Sequence, residues 1–135
     1  MSIIIWKPEL SVGIKTIDDQ HKKLVDMINK LHDAMSAGKG KDIMVKLVGE
    51  LADYTDYHFK TEENLFNKYK YQELLSHKAE HDKLRSEVMT LKSKLDKGET
   101  IITVEVLYFL KDWLSKHILG SDKKYSSFLI GKGVN

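Results

Sequence analysis

Apolar residues recur along nearly the whole chain at steps of three and four rather than two. That period belongs to helices with one buried face, and it confines the chain to an all-α fold. A single proline, Pro8, interrupts the backbone, and the glycines at Gly38/Gly40, Gly98, Gly120 and Gly131/Gly133 fall where the periodic stretches stop. Four helices of roughly 19 to 28 residues joined by short loops predict an antiparallel up-down-up-down four-helix bundle.

The first helix is expected to be capped by Asp18 or Asp19 and to run to about Ala37, with a stripe of Ile17, His21, Leu24, Ile28, Leu31 and Met35. The second, capped by Asp42 and ending near Tyr69, carries Leu47, Val48, Leu51, Thr55, His58, Glu62, Leu65 and Phe66. The third, from about Gln72 to Lys97, reads Leu74, His77, His81, Leu84, Val88, Leu91 and Leu95. The fourth begins near Thr100, shows Thr103, Val106, Leu107, Leu110, Trp113, Leu114, His117 and Ile118, and breaks at Gly120. Residues 1–16 lack this period and read as an extended arm that lays Trp6 across the bundle. Alternation at Val12, Ile14 and Thr16 would fit a short strand, but a lone strand has no partner. Residues 120–135 form a C-terminal segment with a short helix leading from Ser121 to Phe128.

A chain of 135 residues can bury roughly two thirds of its unfolded surface, so residues 1–135 are expected to form one domain, with the bundle at 17–119. Lys and Arg number 22 against 20 Asp and Glu, a formal charge of +2 that argues against nucleic-acid binding. The absence of cysteine removes disulfides, thiolate zinc sites, iron–sulfur clusters and c-type haem. The apolar run Ile3 to Trp6 is far shorter than the ~20 residues of a membrane span, so no membrane insertion is expected and the chain reads as soluble and cytoplasmic.

A core built only for packing would not place His21, His58, Glu62, His77, His81 and His117 on inward stripes, because burying an unpaired polar group costs a few kcal/mol. Any one of them alone reads as a hydrogen-bonded core histidine or a solvated pair. Five of the six histidines share this placement, with one or two on every helix. His77 and His81 stand four apart, within about 40° of each other on a helix, and can grip one ion; His58 and Glu62 repeat that geometry. Glu63, about 140° from His58, is expected in solvent. A break or bend at Gly120 would aim Asp122 at the same centre. His32, about 16 Å along the axis from His21, is left a structural or surface role. Five imidazoles and two carboxylates exceed the needs of one ion. With both carboxylates and a solvent-derived oxide or hydroxide bridging, they fill all but one position of two octahedral metals. Mostly imidazole with some carboxylate suits iron, ahead of zinc or copper.

The stretches Ile17-Asp18-Asp19-Gln20-His21, His58-Phe59-Lys60-Thr61-Glu62-Glu63, His77-Lys78-Ala79-Glu80-His81 and His117-Ile118-Leu119-Gly120-Ser121-Asp122 resemble the hemerythrin family, specifically its single-domain bacterial members. The resemblance covers Trp6 to about Phe128 and fills all seven ligand positions in order. It implies two iron ions with an oxo or hydroxo bridge. His77, His81 and His117 would bind one iron and His21 and His58 the other, with Glu62 and Asp122 bridging. Dioxygen would enter at the five-coordinate iron, drawing two electrons from the pair and a proton from the bridge, and leave by the reverse. Leu24, Phe59, Trp113, Leu114, Ile118 and Tyr125 resemble the family's oxygen-pocket lining, although plain bundle core explains them equally well.

The function expected is therefore reversible dioxygen binding for transport, storage or sensing, without a catalytic residue. The alternatives are a di-iron redox enzyme acting on peroxide, nitric oxide or a small substrate, and a metal-free or zinc-stabilised helical interaction module. Dioxygen is the expected partner, and the recipient of the oxygen is not named by the sequence.

Overall fold

The computed structural model describes residues 3–98 and 104–135. Among them there is no strand. A short 3-10 turn at Pro8–Leu10 precedes helices α1 (Lys15–Ser36), α2 (Lys41–Tyr69), α3 (Leu74–Asp96), α4 (Val104–His117) and α5 (Lys123–Gly131), and a π-helical turn, Ile118–Asp122, joins α4 to α5. Thr100 and Thr103, placed at the start of the fourth helix, lie outside the described residues.

Helix α1 packs against α2 and α4, and α2 against α3, as the four-helix bundle requires. The stripes bury as the period predicts. Ile17, Leu24, Ile28 and Leu31 of α1 meet Val48, Leu51 and Phe66 of α2, Leu84, Val88 and Leu95 of α3, and Leu107, Leu110 and Leu114 of α4 in one core. Met35, Leu47, Leu65 and Leu91 are half-buried at its edge. Among the described residues, no helix is long and apolar enough to cross a membrane.

The helix starts differ from the expectation. Helix α1 begins at Lys15, before Asp18, and neither it nor α2 receives a side-chain cap; Asp42 lies inside the first turn of α2. Helix α3 starts at Leu74 rather than Gln72 because Lys70 takes a left-handed conformation (φ 57°) and the next residues form a turn. The left-handed residue is tolerated without glycine because the turn is anchored. The Tyr71 N–H donates to the carbonyl of Phe66 at 2.9 Å, and the buried Tyr71 ring packs on Phe66 with centroids 5.1 Å apart.

Asp18 is occupied instead with the arm. It accepts the Val12 N–H at 2.8 Å and the Ser11 hydroxyl at 2.5 Å. Further along α1, Asn29 accepts the N–H groups of Ile3 and Ile4 and donates to the Ile4 carbonyl. The arm thus crosses α1 with Ile4, Leu10, Val12 and Ile14 buried, while Trp6 is half-buried under the Lys22 ammonium, 5.3 Å from its ring. Thr16, the last residue of the weighed strand, is already helical. Asp18→Ala leaves the Val12 N–H unpaired and is expected to cost about 1–3 kcal/mol. Chemical denaturation measures it; an unchanged midpoint would show that the arm does not depend on this contact.

Candidate metal centre

Each helix of the bundle delivers its polar stripe residues to the same level of the core. His21, His58, Glu62, His81 and Asp122 are almost entirely withdrawn from solvent, and His77 and His117 nearly so. Their ligand atoms fall into two overlapping groups, each within 4.8 Å: Glu62, His77, His81, His117 and Asp122 in one, His21, His58, Glu62 and Asp122 in the other. The two carboxylates belong to both. Two sets of nitrogen donors therefore flank a shared pair of carboxylates.

Asp122 reaches this place through the π-helical turn. In an α-helix a residue five positions after His117 points about 140° away. In a π turn the hydrogen bonds join residues five apart, so the two positions line up. His117 Nε2 then lies 3.0 Å from Asp122 Oδ1, and Asp122 also faces His77 Nε2 at 3.1 Å and His21 Nε2 at 3.1 Å. Gly120 lies within a widened but continuous helix and does not end it, which corrects the expected break.

The outer nitrogens of two histidines have assignable protons. Glu63 Oε2 stands 2.8 Å from His81 Nδ1, and a carboxylate facing an imidazole nitrogen accepts, so Nδ1 donates. Gln20 Oε1 stands 2.6 Å from His58 Nδ1. The amide is oriented because its Nε2 donates to Thr61 Oγ1, whose own hydroxyl is spent on the Tyr57 carbonyl. His58 Nδ1 is therefore also a donor. Burial lowers the His58 pKa more than the charge of Glu62 raises it.

The inward nitrogens of both rings face a carboxylate oxygen. His58 Nε2 and His81 Nε2 each lie 3.2 Å from Glu62 Oε1. Burial and Asp122 push the Glu62 carboxyl up, but His58 and His81 outweigh them and hold it below the usual carboxylate range. Asp122 is likewise held well down by His117, His21 and His77 against the effect of burial. At His117 burial acts downward, and the pull of Asp122, Glu62 and Glu80 overcomes it to raise the pKa. Both His21 nitrogens, His77 Nε2, Glu62 Oε1 and both Asp122 oxygens are buried without a hydrogen-bond partner. Two buried carboxylates ringed by imidazole nitrogens, with three of those nitrogens and three of the carboxylate oxygens left without a hydrogen-bond partner, fit cations between them.

Around the cluster the walls are aromatic. Phe59 stacks on His81 at 3.8 Å and 2°, and Trp113 on His117 at 4.5 Å and 17°. Leu24, Phe59, Trp113 and Leu114, with Leu51 and Leu110 among others, line an internal cavity of about 20 Å³. Ile118 and Tyr125 are fully buried but are not on its wall. Tyr125 instead donates its hydroxyl to Glu62 Oε2, and burial together with the charge of Glu62 pushes its pKa well up, keeping that proton in place. His32 stands apart beside Asp33, 3.6 Å away.

Glu63 corrects the sequence reading. It is buried, on His81, and gripped by both terminal nitrogens of Arg85 at 3.0 and 3.3 Å. Helix α2 has neighbours on two sides, so a residue turned away from the bundle axis still packs against α3. Gln20 was missed as well. Arg85 had a signal: it is the chain's only arginine, where lysine serves every other cationic position, and it follows His81 by four.

Residues 12–129 match the hemerythrin HHE cation binding domain. The chain is 38% identical to the bacteriohemerythrin of Methylococcus capsulatus over 96% of its own length and 98% of that protein's. It is 37% identical to a hemerythrin-like protein of Naegleria gruberi, over 92% of each chain. A crystal structure of a hemerythrin leucine-to-tyrosine variant superimposes with a TM-score of 0.90 at 37% identity, covering 94% of this chain and 97% of that one. All-helical architecture and a buried nitrogen–carboxylate cluster define a metal-binding four-helix bundle. The chain belongs to the hemerythrin family.

Proposed function

We propose that this chain binds dioxygen reversibly at a pair of iron ions with an oxo or hydroxo bridge, as a cytoplasmic carrier, store or sensor of oxygen. His77, His81 and His117 would hold one iron, His21 and His58 the other, and Glu62 and Asp122 both. One observation carries the reading: the nitrogen donors divide three and two around carboxylates common to both groups. Such a division leaves the two-histidine side one donor poorer, so that a further ligand would complete it there. When bound, the iron pair supplies the electrons for reversible dioxygen uptake.

The chain's own residues do the rest. Gln20 and Glu63 fix the orientation of His58 and His81. Tyr125 holds its proton on Glu62, which keeps one carboxylate oxygen occupied and the other directed inward. Among the residues lining the adjacent cavity only Thr55 and Trp113 carry a polar side-chain group, a wall that favours a small apolar gas over water. The same wall carries no charged group to orient a polar substrate.

The test is anaerobic reduction, addition of dioxygen, and measurement of iron per chain and of oxygen recovered on degassing. About two irons per chain and near-complete recovery are expected. One metal per chain, or mainly zinc, would refute the di-iron reading; two irons with little oxygen recovered would refute the carrier reading.

A further inference from the structure

Carboxylates face the outer nitrogens of two of the three histidines on one side of the cluster, His81 and His117, whereas on the other side His58 meets a neutral amide. In the three-histidine group, His81 Nδ1 donates to the Glu63 carboxylate at 2.8 Å, and His117 Nδ1 lies 3.7 Å from Glu80. In the two-histidine group, His58 Nδ1 donates to the neutral Gln20 amide at 2.6 Å, and His21 Nδ1 has no hydrogen-bond partner. Glu63 is built in rather than adventitious. Arg85 grips both its oxygens, is itself tied to Asp56 at 3.0 Å and Asp82 at 2.8 Å, and rides over the Phe59 ring that stacks on His81.

A carboxylate accepting the Nδ1 proton draws it outward and makes the opposite nitrogen a stronger donor, whereas an amide carbonyl does so far less. A stronger donor favours the more highly charged state of the metal it holds. We propose that Glu63, fixed by Arg85, is a positioning residue that sets the reduction potential of the metal pair. With the neutral Gln20 opposite, it makes the three-histidine side the easier one to oxidise. The inference rests on the two-metal reading above. In that reading the two metals have unequal tasks, since the side poorer in donors receives the ligand. The charged outer contact therefore sits on the metal that supplies an electron without meeting the ligand itself.

Two isosteric exchanges separate charge from shape. Glu63→Gln can still accept the His81 proton but loses the charge; Gln20→Glu adds a charge beside His58. At equal iron content, Glu63→Gln is expected to raise the midpoint potential by roughly a tenfold change in the one-electron equilibrium, about 59 mV, and Gln20→Glu to lower it. Shifts in opposite directions support the proposal. Potentials within twofold of the wild-type equilibrium, or shifts in one direction for both, overturn it.

A second readout needs no iron. In the metal-free chain, histidine side-chain NMR is expected to find His81 as the Nδ1–H tautomer, with a strongly downfield, slowly exchanging proton that moves upfield in Glu63→Gln. An Nε2–H tautomer in the wild type overturns the proposal even if a variant binds no metal. Wild-type protein without iron refutes the di-iron reading and the redox role with it, whereas the expected potentials with an Nε2–H tautomer refute only the part played by Glu63.

Discussion

Asp122→Ala is expected to strip both metal ions from the chain, whereas His21→Ala is expected to leave one. The difference follows from the site's geometry: Asp122 belongs to both donor groups and faces three histidines at 3.0 to 3.1 Å, while His21 belongs to one group. His77→Ala or His81→Ala should lower metal content too, and His32→Ala should not. A ligand that binds only the folded chain adds its binding free energy to stability, about 4 kcal/mol at a thousandfold excess over its dissociation constant. For a chain of this size that is a fall in Tm on the order of 10–20 °C in Asp122→Ala relative to the loaded wild type. Elemental analysis and thermal unfolding measure both effects. Two ions retained in Asp122→Ala, or equal metal loss in His32→Ala, would show that the donor set is misassigned.

Leu114→Asn is expected to keep its iron but to oxidise irreversibly in air faster than the wild type, on the order of tenfold. Leu114 is buried on the wall of the cavity that borders the cluster, on the same helix as His117 and one position past Trp113, whose ring covers that histidine. It donates nothing to the metal groups. An amide there brings hydrogen-bonding capacity, and with it water, into a wall whose only polar side-chain groups are the Thr55 hydroxyl and the Trp113 indole N–H. Leu114→Met, similar in volume and apolar, is the control and should behave as the wild type. The measurement is the fraction of dioxygen recovered on repeated degassing at matched iron content. Equal recovery in all three proteins would mean that the apolar wall is not what protects the pair.

The helical stripes and most of the residues that gather at the centre were legible in the sequence because a polar side chain at an apolar position of a helix has few explanations, and six together have fewer; Asp122 was reached only through a break or bend at Gly120. His21, His58, Glu62, His77, His81, His117 and Asp122 do converge. Glu63 was not legible, since a wheel drawn about one axis treats everything off the central face as solvent, and α2 lies against both α1 and α3. Asp18 misled for a different reason. Its side chain suits a helix start, but the arm's Val12 N–H competes for the same oxygen, and a contact between distant backbone and side chain leaves no periodic trace. Tyr125 read as pocket wall because its ring is apolar; only the position of its hydroxyl makes it a partner of Glu62.

The π-helical turn acts as a crank in the chain. A single residue more or less between His117 and Asp122 would rotate everything downstream by about 100°. Asp122, Tyr125 and Leu129 would leave the core face together, taking with them a carboxylate common to both donor groups, the phenol that holds Glu62, and the buried face of α5. Spacing in this turn is thus under the same constraint as the identity of the residues it aims. A deletion there, even of the side-chain-free Gly120, is a more damaging change than many substitutions in the core.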